Sequence, residues 1–121
     1  MTREISTLAG ETYCYLTTVG RVSGQPRTIE IWFAIDGNTV YMLAGSKARA
    51  HWVQNALQNP GVTLRIKDRT FSARARKARD GDEDALARRL LFAKYAPIDS
   101  ELDEWARTAL PMAFDISTSC G

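Results

Sequence analysis

The residues whose types and spacing suggest chemistry are mostly cations near a helix start. Gly45-Ser46-Lys47-Ala48-Arg49 stands directly before the helical pattern that carries Trp52. A helix N-terminus offers unpaired N–H groups and a partial positive charge, so Ser46, Lys47 and Arg49 around it make a phosphate or carboxylate site. The same residues read equally well as a plain Ser46 N-cap with Lys47 and Arg49 in solvent. Arg21 and Arg27 flank the turn at 22–26 as a second cationic pair, with exposed loop arginines as the other reading. Arg65, Lys67, Arg74 and Arg76 share a third basic face, with Lys77 and Arg79 nearby. That face reads as solvated and partly neutralised by the acidic helix start behind it. No aromatic residues interleave there for base stacking, which argues against nucleic acid. Glu30, between Thr28 and Trp32 on one strand face, suits a ligand, a subunit interface or a salt bridge to a neighbouring strand. Trp52, Tyr95 and Trp105 are candidates for a substrate pocket wall, packing being the other reading of Tyr95 and Trp105.

Several classes of chemistry are excluded by what the chain lacks. His51 is the single histidine, and Cys14 and Cys120 stand far apart without CxxC spacing, so no metal-ligand cluster is expected. No G-x-S-x-G nucleophile motif accompanies His51, which reads as a surface helix histidine, and no glycine-rich nucleotide loop occurs. The cysteines read as one buried thiol and one tail thiol, both reduced in a cytoplasmic setting. The charge balance of +2, from 16 Lys and Arg against 14 Asp and Glu, is too small to argue for nucleic acid by itself. The longest stretch without a formal charge, 50–64, contains Gln54, Asn55, Gln58, Asn59 and Pro60, so no membrane span is expected. At 121 residues and 45% hydrophobic the chain suits one domain, 1–121, with a core of its own.

The elements that position these residues follow from their periods. Residues 12–19 are rich in β-formers and end at a glycine-bounded turn. Over 27–36, Ile29, Ile31, Phe33 and Ile35 alternate with Thr28, Glu30, Trp32 and Ala34, predicting one long strand with a core face. Asp36-Gly37-Asn38 is a hairpin turn into a strand at 39–44. Trp52, Val53, Ala56 and Leu57 then recur at helical spacing until Asn59-Pro60-Gly61. A second hairpin over 62–79 turns at Lys67-Asp68, with Leu64, Ile66, Phe71, Ala73 and Ala75 inward. Asp80-Gly81-Asp82-Glu83-Asp84 opens a helix whose stripe is Leu86, Ala87, Leu90, Leu91 and Ala93, with Asp84 and Arg88 paired at i,i+4. Pro97 ends it. Ser100 with Asp103 reads as a capping box for a short helix through Trp105, and Met112, Phe114 and Ile116 mark a closing strand. The order β-β-β-α-β-β-α-α-β predicts an antiparallel barrel or strongly curled sheet with flanking helices, not a doubly wound nucleotide fold.

Three stretches in this order resemble a known family. Residues 16–28, LTTVGRVSGQPRT, resemble the "LTTxGRxSGxPRT" opening of deazaflavin-dependent nitroreductases and quinone reductases. Residues 52–63, WVQNALQNPGVT, resemble the family's "WxxNLxxNPxVTV", and Arg69-Thr70-Phe71-Ser72-Ala73-Arg74-Ala75 its "RTFxARA" strand. The resemblance implies a split β-barrel of the FMN-binding, pyridoxamine-phosphate-oxidase-like type, normally a homodimer with the cofactor at the subunit interface. It implies hydride transfer from the 8-hydroxy-5-deazaflavin coenzyme F-420 to a small-molecule electron acceptor: a quinone, nitro compound or other activated double bond. Such a cofactor carries the hard chemistry itself, so no triad is needed. By the same resemblance Arg27, Ser46, Lys47 and Arg49 would meet the phosphate and acidic tail, and Thr28, Glu30 and Trp32 would lie beside the ring. An FMN-dependent enzyme of the same fold and a non-catalytic barrel for a small anionic or lipidic ligand are the alternatives.

Overall fold

A computed structural model describes residues 8–45, 49–99 and 102–116. Along the chain come β1 (Cys14–Val19), β2 (Pro26–Ile31), β3 (Ala34–Asp36), β4 (Thr39–Ala44) and α1 (His51–Gln58). They are followed by β5 (Gly61–Ile66), β6 (Arg69–Lys77), α2 (Asp82–Tyr95), α3 (Asp103–Thr108) and β7 (Leu110–Ile116). The strands form one seven-stranded sheet in the order β2-β1-β5-β6-β7-β4-β3. Every neighbouring pair in it is antiparallel.

The long strand expected over 27–36 is in fact two. β2 pairs with β1 and β3 pairs with β4, at opposite ends of the sheet. Only Trp32 and Phe33 join them, and three steps of about 3.8 Å cannot cross a flat sheet, so the sheet has to curl until its edges approach. The alternation survives the break. Ile29, Ile31, Phe33 and Ile35 all contact the inner cluster, whereas Trp32 and Ala34 belong to the outer one. A period-two pattern reports which face a residue takes but not which strand it pairs with, so the exchange of partner leaves no trace in it.

Inside the curl Cys14, Leu16, Phe33, Met42, Leu64, Ile66 and Phe114 are fully buried, and Val53 and Ala56 of α1 complete this cluster. On the outer side Tyr41, Leu43 and Ala113 of the sheet pack on Ala87, Leu91 and Tyr95 of α2. The stripe of α2 thus advances to Tyr95, and Ala93, expected inside, is exposed. Leu57 of α1 is likewise exposed at 39%, while the polar Asn55 is buried at 5%. The Asp84–Arg88 pair forms at 2.6 Å. Ser100 of the expected capping box lies outside the described residues, and Leu102 in the N-cap position of α3 makes no side-chain cap bond.

The last turn of α2 pins the junction between the sheet edges. The Tyr95 hydroxyl accepts from the Phe33 amide at 3.0 Å and has the carbonyls of Thr12, at 2.7 Å, and Phe33, at 3.0 Å, as acceptors for its proton. Lys94 Nζ donates to the Phe33 carbonyl at 2.9 Å and stands 3.7 Å from the centre of the Phe33 ring. Burial pushes the Tyr95 hydroxyl up to about 12 and the Lys94 ammonium down to about 8. Cys14 is a free buried thiol, pushed up to about 12 by the same desolvation. Cys120 lies outside the described residues.

Candidate functional site

The site begins at the turn between β1 and β2. Gly20 N–H donates to Gln25 O at 2.8 Å and Gly24 N–H to Gly20 O at 2.9 Å, which closes the turn on itself. A side chain at position 20 would meet Ser23 Oγ at 2.8 Å and the Gln25 carbonyl at 3.3 Å, so glycine spares the loop a displacement of that hydroxyl and carbonyl. Helix α1 holds the turn from outside. Asn59 Nδ2 lies 3.4 Å from the Val19 carbonyl. Asn55 Oδ1 accepts from the Arg21 amide at 3.1 Å and from Arg21 Nη1 at 2.9 Å. The second guanidinium nitrogen, Nη2, stands 3.4 Å from His51 Nδ1. Because arginine is donor-only, this contact makes Nδ1 the acceptor and puts the proton of a neutral His51 on Nε2.

Between this turn, β2 and the first turn of α1 lies an open cleft of about 770 Å³. Small-molecule sites commonly span about 300–1,000 Å³, so the cleft can take a ligand the size of a cofactor. Thr18, Gly20, Arg21, Val22, Ser23, Pro26, Arg27, Thr28, Ile29, His51, Trp52 and Asn55 line it. Among the described residues, Arg21, Arg27 and His51 are the ionisable ones of that lining, and no Asp or Glu joins them. Helix α1 opens at Ala50, without a side-chain cap, and contributes His51 and Trp52 to the lining. Cations, the positive end of a helix and an indole therefore share one wall, an arrangement that attracts an anion with a flat apolar part.

Of the residues singled out in the sequence, Arg21, Arg27, Thr28 and Trp52 line this cleft, as does His51, which reads in the sequence as a surface histidine. Glu30 and Trp32 do not. Glu30 sits on the outer face of β2, where its Oε2 accepts from the Tyr15 hydroxyl at 2.7 Å. Trp32 also lies on the outer side of the sheet and stacks on Tyr95, with centroids 4.2 Å apart and planes 3° apart. Trp105 meets Trp32 edge-on at 5.7 Å. The expectation of Tyr95 and Trp105 as pocket wall gives way to packing on the outer cluster: Tyr95 is fully buried there, and neither residue lines the cleft. Arg49 is exposed and outside the cleft lining, and Ser46 and Lys47 lie outside the described residues. Asn55 went unnoticed in the sequence, since a polar residue in an amphipathic helix reads as its wet side. Its one signal is the i,i+4 spacing from His51, which puts both on one face.

A second charged cluster lies across β6, β7 and the start of α2. Arg76 meets Glu83 through Nη1 at 2.7 Å and Nη2 at 2.9 Å, and Asp115 through Nε at 2.7 Å and Nη2 at 3.1 Å. Glu83 also accepts from the Tyr41 hydroxyl at 2.8 Å and the Arg79 amide at 2.6 Å. The Arg76 guanidinium holds the Glu83 carboxyl down at about 2 and also lowers that of Asp115. Thus the basic strand face is partly neutralised by the acidic helix start, as its sequence suggests.

The fold defines a class: a mainly β, curled antiparallel half-barrel of the split-barrel type, with a few flanking helices. A conserved hypothetical protein from Mycobacterium tuberculosis shares the fold at a TM-score of 0.75, with 16% identity over 93% of this chain and 78% of that one. A FAD-binding protein from Mesorhizobium loti does so at 0.72, with 14% identity over 97% and 88%. A reductase dependent on reduced F-420 matches at 0.69, with 21% identity over 85% and 93%. Residues 2–114 match the model of the F-420H(2)-dependent quinone reductases, and the chain belongs to that family. It is therefore an oxidoreductase, and its cofactor is the deazaflavin coenzyme.

Proposed function

We propose that the chain is a single-domain, cytoplasmic homodimer (residues 1–121) that passes a hydride from the reduced deazaflavin to a quinone, nitro compound or other activated acceptor. The observation that carries this reading is the cleft of about 770 Å³, whose ionisable lining among the described residues is arginine and histidine with no acid. The coenzyme is anionic along its phosphate and tail and flat along its ring, and those residues fit it. Arg21 and Arg27 would hold the phosphate and acidic tail, with Ser46, Lys47 and Arg49 adding charge along the approach to α1. Thr28 would bond to the ring edge, while Ile29 and Trp52 exclude water from its apolar flank. When bound, the reduced coenzyme supplies the hydride, and the acceptor takes up a proton to emerge as the hydroquinone or its counterpart. A domain-swapped dimer among the structural relatives supports a dimeric assembly. Among the described residues no helix is long and apolar enough to cross a membrane.

Fluorescence titration with the deazaflavin coenzyme and, separately, with flavin mononucleotide tests the reading. Tight binding of the first and weak binding of the second is expected, followed by anaerobic oxidation of the reduced coenzyme on adding a quinone or nitroaromatic. Binding without turnover against any such acceptor would leave a coenzyme carrier and end the enzymatic proposal. Reversing the charge of Lys47 and Arg49 together is expected to weaken binding more than folding, and unchanged affinity would remove both from the site.

A further inference from the structure

We propose that Asn55 is a positioning residue for the coenzyme, fixing the Arg21 guanidinium at the cleft while leaving its charge unspent. The inference rests on the cleft being the coenzyme site, and it concerns a residue that reaches the ligand only through another. Asn55 is 5% exposed, in a helix whose other buried residues are Val53 and Ala56. Burying an amide is costly unless it is bonded, so a polar group here needs a reason. Its carbonyl oxygen is shared by two donors of one residue, the backbone amide and Nη1 of Arg21. That double contact fixes the turn and the side chain together, and the His51 contact at Nη2 fixes the plane of the guanidinium.

The choice of amide over carboxylate is the informative part. Aspartate has the same shape and would bond the guanidinium more strongly, because charge-assisted hydrogen bonds exceed neutral ones. Elsewhere in this chain an arginine that ties elements together, Arg76, is given two carboxylates. At Arg21 neither partner is a carboxylate, and among the described residues no acid lines the cleft. A guanidinium held without a carboxylate keeps its full charge for an incoming anion. One held by a carboxylate would have to abandon that partner first. Asn55 thus provides preorganisation, which spares the ligand the ordering of a long side chain.

The test is titration of wild type, Asn55→Asp and Arg21→Gln with the whole coenzyme and with the phosphate-free 8-hydroxy-5-deazaflavin riboside. Asn55→Asp is expected to weaken the whole coenzyme about tenfold, in line with loss of one charge-assisted contact, and to leave the riboside unchanged. Equal weakening of both ligands would make Asn55 a structural residue and overturn the proposal. Unchanged coenzyme affinity in Asn55→Asp, with Arg21→Gln impaired, would also overturn it while the reading of the cleft stood. Unchanged affinity in Arg21→Gln and in Arg27→Gln would instead bring down the cleft itself. Should Asn55→Asp fail to fold, Asn55→Ala is read the same way: a smaller loss for the coenzyme than in Arg21→Gln and none for the riboside support the proposal, and equal losses refute it.

Discussion

Arg76 and Arg21 are both held by two partners, yet they serve opposite ends. Arg76 lies between Glu83 and Asp115, so its charge is matched twice and the start of α2 is tied to β6 and β7. Arg21 lies between Asn55 and His51, which fix its position and, among the described residues, leave its charge without a carboxylate. The first arrangement is saturated and has nothing to offer a ligand. The second is ordered but incomplete, and an anion completes it. A cation's partners therefore say more about its role than its exposure does, since salt bridges and binding sites use the same side chain.

The largest effect should come from breaking the saturated cluster. Arg76→Met strips two carboxylates of the guanidinium they share, one of them on Glu83 at 13% side-chain exposure. Loss of one partner of a buried pair costs about 3–5 kcal/mol, and the partial exposure here reduces this to about 2 kcal/mol. Coenzyme affinity should not change. Arg21→Gln should behave the other way round, with stability within about 0.5 kcal/mol of wild type and affinity at least tenfold weaker, about 1.4 kcal/mol. Denaturant melts beside coenzyme titrations of both variants check this. Equal losses of stability would erase the distinction between the two arginines.

Acid sharpens the same contrast. Glu83 is held down at about 2 from an ordinary 4.5, and Asp115 is lowered too, both chiefly by hydrogen bonds from Arg76. A carboxyl with a depressed folded value contributes its stability in full above the unfolded value and loses it as pH falls towards the folded one. Thermal midpoints should therefore fall between pH 4.5 and pH 2. In Arg76→Met that slope should flatten, because the depression has lost its first cause. In Arg21→Gln it should match wild type, since among the described residues no carboxylate of the cleft lining shares the titration.

The sequence made the faces of the strands legible and hid their partners. Ile29 through Ile35 predicted a strand correctly sided along its whole length, yet the step at Trp32–Phe33 from one sheet edge to the other has no signature in polarity. The turns at Asp36-Gly37-Asn38 and Lys67-Asp68 were visible because their chemistry is local. For the site, Arg21 and Arg27 stood out as cations around a glycine turn. Asn55 could not, because its role depends on a residue 34 positions away and becomes visible only when α1 docks on the turn. The resemblance puts Trp32 beside the ring, and Tyr95 and Trp105 read as candidates for a pocket wall or as packing residues. The curl of the sheet sends them to its outer side, where rings stack on one another instead.

The smallest effect concerns two turns. In the cleft turn the left-handed position is taken by Gly24, with φ 74°. In the β5–β6 turn the corresponding conformation is forced on Lys67, with φ 59°. A residue with a Cβ gives up about 1–2 kcal/mol there, whereas glycine gives up about 0.5–1 kcal/mol of unfolded-state freedom. Lys67→Gly should therefore stabilise the protein by about 0.5 kcal/mol. Gly24→Ala should destabilise it and, by disturbing the turn that carries Arg21, weaken the coenzyme as well. Chemical denaturation resolves both signs. Arg65 Nη1 donates to the Lys67 carbonyl at 2.9 Å, a bond that glycine retains. If Lys67→Gly destabilises instead, the lysine side chain holds that turn in place, and the contrast between a turn built to bind and one built only to close would have to be drawn elsewhere.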